Sequence, residues 1–235
     1  MRFATGGRGL YDVILATFCG LLLISNVGAT KLIVFGGVPV VGSLILDGGA
    51  FLFPLTYVLG DVLAEVYGMA RARRAIFTGF ALALLMSLSF MIVDAAPPAP
   101  DWPHQDAWSA VLGFVPRIVA ASLAGYLVGQ FLNAWVVVRI KQRTNEDALW
   151  VRLMSSTVVG EFADTVVFCS IAFGPLWFGG DSIPLPALAN YILVGWIYKC
   201  LVEALCLPVT YRVIAAVKRH EPDYWDAAPK SSAPR

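Results

Sequence analysis

Six long apolar segments divide this chain of 235 residues, of which 58% are hydrophobic and only 14% are charged. A soluble domain of this size would carry about 25% charged residues. A helix needs about 20 mainly apolar residues to cross a hydrocarbon core of about 30 Å. The segments that reach or approach this length cover residues 10–35, 50–67, 75–93, 108–138, 150–173 and 187–217. The sequence therefore predicts an all-α membrane protein built as a bundle of six transmembrane helices.

The basic residues predict how this bundle is oriented. Apart from Lys31, Arg117 and Lys199, the Lys and Arg residues lie at or near segment ends on one side of the predicted bundle. Since positive residues stay in the cytoplasm, both termini are predicted to be cytoplasmic. We expect one transmembrane domain over residues 1–226 in a bacterial inner membrane, followed by a disordered cytoplasmic tail at 227–235.

The net charge and the size of the predicted bundle indicate which partners the chain can have. The net charge of +1 argues against a nucleic-acid partner, which would require a basic patch. The lipid bilayer is the expected surrounding, and six short spans give a small bundle that is compatible with a homodimer.

Charged residues inside the apolar segments form the candidate functional site, because a charge at membrane depth costs at least about 2.5 kcal/mol. The embedded charges are Asp61, Glu65, Glu161, Asp164, Glu203, Lys31, Arg117 and Lys199. Spacings of three or four residues put both members of a pair on one helix face. The pairs are Asp61 with Glu65, Glu161 with Asp164, and Lys199 with Glu203. The helical rise places charges of four helices in the middle third of the membrane, which predicts one interior site.

Two interpretations of these charges stay open. The first is that ion pairs such as Arg117 with Asp61, or Lys199 with Glu203, only hold helices together. The second is a binding site, because carboxylates outnumber cations at mid-depth and the surplus can share a proton, bind a cation or accept ligand donors. Lys31, near a segment end, can instead extend to water.

Uncharged polar and aromatic residues of the segments are further candidates. Asn26 offers a donor and an acceptor together, next to Ser25, although an intramembrane Asn can also simply bond a neighbouring helix. Several tyrosines could stack on a planar ligand. They are Tyr57, Tyr67, Tyr126, Tyr191 and Tyr198.

The second segment carries a recognisable string: FPLTY at 53–57, Gly60-Asp61, EVYG at 65–68 and RARR at 71–74. This string resembles the queuosine precursor transporter family. Further matches lie in the first, fifth and sixth segments, namely Ser25-Asn26 with Lys31, Glu161-x-x-Asp164, and Lys199 with Glu203. The resemblance extends over about residues 11–226.

The resemblance implies an importer of 7-deazaguanine bases, such as 7-cyano-7-deazaguanine or 7-aminomethyl-7-deazaguanine, for queuosine modification of tRNA. A carboxylate suits such a nucleobase-like substrate, because it accepts two adjacent N–H donors at once. The expected substrate-binding residues are Asn26, Asp61, Arg117, Glu161, Asp164 and Lys199. The expected supporting or gating residues are Ser25, Lys31, Tyr57, Glu65 and Glu203, with Glu65 pairing to the arginine cluster at 71–74.

Three alternatives concern the source of energy and the class of protein. The sequence has no P-loop, so this chain does not hydrolyse ATP by that motif, and transport is predicted to be ion-coupled or facilitative. The resemblance also extends to the six-helix substrate-binding subunits of energy-coupling-factor vitamin transporters, which a separate ATPase module drives. An intramembrane acid-dyad hydrolase is disfavoured, since both His residues lie outside the segments. We therefore predict no enzyme activity, no cofactor and no metal site.

Overall fold

The computed structural model describes residues 9–38, 42–144, 149–175 and 183–221, and the described part is mostly helical. The predicted tail at 227–235 lies outside the described residues. The helices are α1 (Tyr11–Gly28), α2 (Phe53–Ala95), α3 (Gln105–Val111), α4 (Val115–Thr144), α5 (Leu149–Ala172) and α6 (Leu185–His220). Two strands, β1 (Leu32–Val38) and β2 (Gly42–Asp47), and a 3₁₀ helix (Gly48–Phe51) join α1 to α2.

Long apolar helices confirm a multi-pass, mainly α-helical membrane protein. Within the described residues, four stretches are long and apolar enough to cross a membrane. They are Tyr11–Gly28, Pro54–Ala95, Gln105–Leu132 and Leu185–His220. One core cluster, which includes Phe18, Val62, Leu63 and Val217, packs α1, α2 and α6 together.

Helix α2 is interrupted at Gly68, whose φ of 80° and ψ of 164° are not helical. This combination is essentially restricted to glycine, because a Cβ would collide with the backbone. The break falls between the predicted segments 50–67 and 75–93, so α2 contains two helical parts joined at a bend.

A β-hairpin follows α1, where the sequence predicted more helix. Helix α1 ends at Gly28, so the prediction that the first span continues to residue 35 is wrong. Strand β1 pairs antiparallel with β2 from Leu32 opposite Asp47 to Val38 opposite Gly42. The adjacent β-branched residues Ile33 and Val34 favour a strand, and the glycines at 36 and 37 disfavour continuation of the helix. Hydropathy alone could not separate this apolar strand from the end of an apolar helix.

The later helices also differ in detail from the predicted segments. The predicted span 108–138 is divided by a turn into α3 and α4, and Pro116 lies in the first turn of α4, where proline is tolerated. Pro208 lies inside α6, which continues to His220.

Candidate functional site

The centre of the candidate site is an ion-pair cluster between α5 and α6. Lys199 contacts Asp164 directly, and its Nζ lies 3.5 Å from Glu161 Oε2. The side chains of Lys199, Glu161 and Asp164 are only 15%, 18% and 22% exposed. The ion pairs described for Lys199 are thus with α5, whereas the sequence suggested Glu203 as its partner. Two carboxylates share one ammonium group, so the centre keeps a surplus of acceptor oxygens.

Tyr57 brings α2 to this centre. Its hydroxyl donates a hydrogen bond of 2.9 Å to Glu161 Oε1. Within the described part of the chain, Glu161 Oε2 is buried and accepts no hydrogen bond. A buried acceptor without a hydrogen bond costs about 1–3 kcal/mol, so a ligand donor there would be favourable. Glu161 therefore has Oε1 in a hydrogen bond and Oε2 in an ion pair with Lys199 but in no hydrogen bond.

Further carboxylates extend from the centre towards the end of α6. Glu203 is partly buried and lies within electrostatic range of Glu161 and Asp61. Asp61 is exposed on the face of α2 that also carries Glu65. Glu65 Oε1 lies 2.7 Å from Lys218 Nζ, rather than pairing with the arginine cluster that the sequence suggested. Residues 57, 61 and 65 thus lie on one face of α2, where two carboxylates continue from Tyr57 along the helix.

Two glycines of α4 allow the close approach of α5 at Asp164. A Cβ at Gly125 would lie 2.6 Å from Asp164 Oδ1, and one at Gly129 would lie 2.9 Å from the Gly160 oxygen. Both distances are shorter than real Cβ contacts, so only glycine fits without movement. The sequence reasoning did not include this pair, although the Gly-x-x-x-Gly spacing is a known signal for close helix contact.

Asp47, at the end of β2, is a residue near the centre that sequence reasoning missed. Its Oδ1 accepts a hydrogen bond of 2.8 Å from the Gly49 N–H, and its Oδ2 accepts one from the Tyr191 hydroxyl. Burial raises the pKa of the Asp47 carboxyl above its usual range, although these bonds and the nearby charge of Lys199 act in the opposite direction. An Asp before two glycines is a capping signal that could have identified it.

The 3₁₀ helix after Asp47 is bound on both sides. The Tyr198 hydroxyl of α6 donates 2.9 Å to the Ala50 oxygen, and the Ser25 hydroxyl of α1 donates 3.3 Å to the Gly49 oxygen. Ser25, predicted as a supporting residue, therefore holds this turn against α1.

Three other predicted residues lie outside the central cluster, and two of them form hydrogen bonds elsewhere. Arg117 donates from Nε to the Ile171 oxygen at 2.8 Å and from Nη2 to the Gly174 oxygen at 3.0 Å. This arrangement satisfies carbonyls at the end of α5, where a cation also complements the helix dipole. Asn26 accepts a hydrogen bond of 3.1 Å from Ser122 and thereby joins α1 to α4. Lys31 is exposed just after α1.

The described part of the protein also contains grooves, but no candidate metal site. Two open grooves of about 470 and 490 Å³ lie in the described part of the protein, and neither is lined by Glu161, Asp164 or Lys199. Among the described residues, no group of His, Cys, Asp and Glu side chains could hold a metal ion. The centre is a polar contact between α2, α5 and α6.

Comparisons with known proteins identify relatives over most of the chain. Residues 47–213 match the family described as "Putative vitamin uptake transporter". The chain is 30% identical over 172 residues to the "Probable queuosine precursor transporter" of Bacillus subtilis, covering 68% of this chain and 72% of that protein. It is 30% identical over 166 residues to the "Queuosine precursor transporter" of Escherichia coli, covering 71% of each. A Haemophilus influenzae relative with the same name as the Bacillus protein is 28% identical over 169 residues, covering 72% of this chain and 68% of that protein. No solved structure gives a significant match.

Proposed function

Because this chain belongs to the queuosine precursor transporter family, a family of transporters and not of enzymes, we propose that it imports 7-deazaguanine bases across a bacterial inner membrane. The observation that carries the proposal is the meeting of Glu161, Asp164, Lys199 and Tyr57 from three helices in one partly buried cluster. Ionisable groups inside membrane-spanning helices are rare and mark substrate or ion pathways.

The proposed topology has six crossings with both termini in the cytoplasm. The bend at Gly68 supports two crossings by α2, and α1, α4, α5 and α6 supply the other four. The arginines at 71–74, next to this bend, and the basic end of α6 then lie on the cytoplasmic side, as positive residues require.

Glu161 is the proposed anchor for the substrate. A guanine-type edge presents a ring N–H and an exocyclic amine side by side, and one carboxylate can accept both hydrogen bonds. Glu161 would offer both oxygens to this edge when Oε1 releases the Tyr57 hydroxyl and Oε2 releases Lys199, whose ammonium group could then donate to the neighbouring carbonyl of the base. A base without these donors would leave buried charged groups unpaired, which gives selectivity.

The other acids would favour a substrate with a cationic substituent and would lie along its path into the site. Asp61, Glu203, Glu161 and Asp164 oppose Lys199, so the cluster has an acidic surplus that would favour an aminomethyl group over a neutral cyano group. Asp61 is exposed, which supports entry along its face of α2. The pair of Glu65 with Lys218 lies at the end of this face and would act as a gate.

We propose that transport is ion-coupled or facilitated, since the sequence has no P-loop for ATP hydrolysis. The second candidate is a substrate-binding subunit served by a separate ATPase, which the family description as a vitamin uptake transporter favours. Purified protein in liposomes, with and without a pH gradient, distinguishes the two. Uptake without any other protein supports the first, and uptake only with an added ATPase module supports the second.

The direct test of the substrate is thermal stabilisation of the detergent-purified protein by a panel of 7-deazaguanines, purines and vitamins. We expect 7-deazaguanines to raise the unfolding temperature of the wild type and of Asp12→Asn, which removes an exposed acid at the start of α1. Glu161→Gln should lose this stabilisation. A full shift in Glu161→Gln would exclude Glu161 as the anchor, and stabilisation by a vitamin alone would overturn the substrate class.

A further inference from the structure

A groove lies between α2 and α4, apart from the residues of the central cluster. Its volume is about 490 Å³, and Phe77, Phe80, Leu84, Leu123 and Leu127 are among the apolar side chains that line it. The rings of Phe80 and Tyr126 contact each other edge to face across it, with centroids 5.0 Å apart. Since both walls belong to stretches that are long and apolar enough to cross a membrane, we expect lipid to contact this groove.

Polar groups are confined to one end of this groove. Arg73 and Gln130 line that end, and Arg73 lies within electrostatic range of the Tyr126 hydroxyl. Within the described residues, Arg73 forms no ion pair and the Tyr126 hydroxyl has no hydrogen-bond partner. A guanidinium group with five N–H donors is well suited to a phosphate, which it can bind through two oxygens.

The length of the groove matches one leaflet of a bilayer. Arg73 and Leu84 are eleven residues apart on one straight part of α2, which corresponds to about 16 Å along the helix. Half of a hydrocarbon core of about 30 Å is about 15 Å. A chain that starts at Arg73 and follows the groove to Leu84 therefore ends near the bilayer midplane.

We propose that this groove binds an anionic phospholipid, with the phosphate at Arg73, Tyr126 and Gln130 and one acyl chain along Phe77, Phe80 and Leu127. The proposal uses the orientation given above, in which Arg73 lies at the cytoplasmic leaflet, where anionic headgroups bind basic pockets between transmembrane helices. A second copy of this chain is the poorer occupant, because an apolar helix seated there would leave the Arg73 charge without a partner.

Native mass spectrometry of the full chain, titrated with phosphatidylglycerol or with phosphatidylcholine of the same acyl chains, tests the headgroup. We expect tighter binding of phosphatidylglycerol and about fivefold weaker binding in Arg73→Gln, because one interfacial cation is worth about that factor. Arg74→Gln is the matched control, since Arg74 is an exposed neighbour of the same charge that does not line the groove. Equal losses in the two variants, or equal binding of the two lipids, would overturn the proposal.

The acyl chain is tested by filling the groove. Leu127→Trp should reduce phosphatidylglycerol binding, whereas Val128→Trp should not, because the exposed Val128 lies outside the groove. Because the assay is binding of added lipid, failure here would leave the proposed transport function untouched. Equal effects of the two tryptophans, or a lipid-free dimer that Leu127→Trp alone disrupts, would refute lipid as the occupant.

Discussion

Replacing Lys199 by Met should strongly destabilise the protein, because Lys199 is the cation of the described cluster. The change leaves Asp164 and Glu161 facing each other on adjacent turns of α5 without a positive charge. Removing one partner of a buried ion pair costs about 3–5 kcal/mol. The three side chains are 15–22% exposed, and screening by solvent lowers the expected loss of unfolding free energy to about 2–3 kcal/mol.

The assay is the free energy of unfolding in mixed detergent micelles with increasing denaturing detergent. A double variant, Lys199→Met with Asp164→Asn, should recover about 1–2 kcal/mol relative to Lys199→Met alone, because residues in contact show coupling of this order. Of the two acids described in ion pairs with Lys199, Glu161 then stays charged without that cation and keeps the Tyr57 hydrogen bond. Lys218→Met provides the control, since Lys218 is 20% exposed but its partner Glu65 is 58% exposed, and water around that carboxylate limits the contribution of the pair to about 1 kcal/mol.

Two results would refute this reasoning. Equal destabilisation by Lys199→Met and Lys218→Met would show that the cluster behaves as a solvated surface pair. A double variant as unstable as the sum of its single changes would show that Lys199 and Asp164 act independently.

Three further changes test the helix contacts around the cluster. Tyr57→Phe should lower the free energy of unfolding by about 1–2 kcal/mol in the same assay, since Glu161 loses the hydrogen bond from Tyr57. It should also reduce the rise in unfolding temperature that the substrate causes, and an unchanged rise would contradict this. Gly125→Ala should lower the free energy of unfolding by about 1–3 kcal/mol, because the new methyl group meets Asp164. Gly20→Ala is the control and should not lower it, because there is open space around Gly20. Equal effects of the two changes would argue against close packing of α4 and α5. Gly68→Ala should lower the unfolding free energy by about 1–3 kcal/mol through backbone strain, and an unaltered value would argue against the positive φ.

Hydropathy and charge predicted the helical membrane architecture and most of the central cluster. Helices cover most of each apolar segment except the end of the first, and the break after residue 67 follows from the change to a basic, glycine-containing connection. Glu161, Asp164, Lys199 and Tyr57 were all candidates, because a charge inside an apolar segment is visible without knowledge of the partners. The pairing within the cluster was not predictable, since it depends on helix rotation.

The hairpin and its consequences could not be predicted from hydropathy. An apolar strand and an apolar helix end have the same composition over a few residues, so β1 was assigned to the first span. This error hid Asp47, which appeared to be a loop residue although the hairpin directs it to Tyr191. Likewise, the close contact of Gly125 with Asp164 depends on the distance between two helices, which a single sequence does not specify.

At the proposed substrate site, the same contacts would link ligand binding to helix arrangement. Glu161 is joined to α2 through Tyr57 and to α6 through Lys199, so a base that takes the acceptor oxygens of Glu161 competes with both interhelical contacts. A ligand shifts a conformational equilibrium only by its difference in affinity for the two states. A substrate that releases Tyr57 and Lys199 therefore binds best to a state in which α2 and α6 have moved away from α5. Because the acids that line the proposed approach lie on those same two helices, substrate entry and helix movement would depend on one set of side chains.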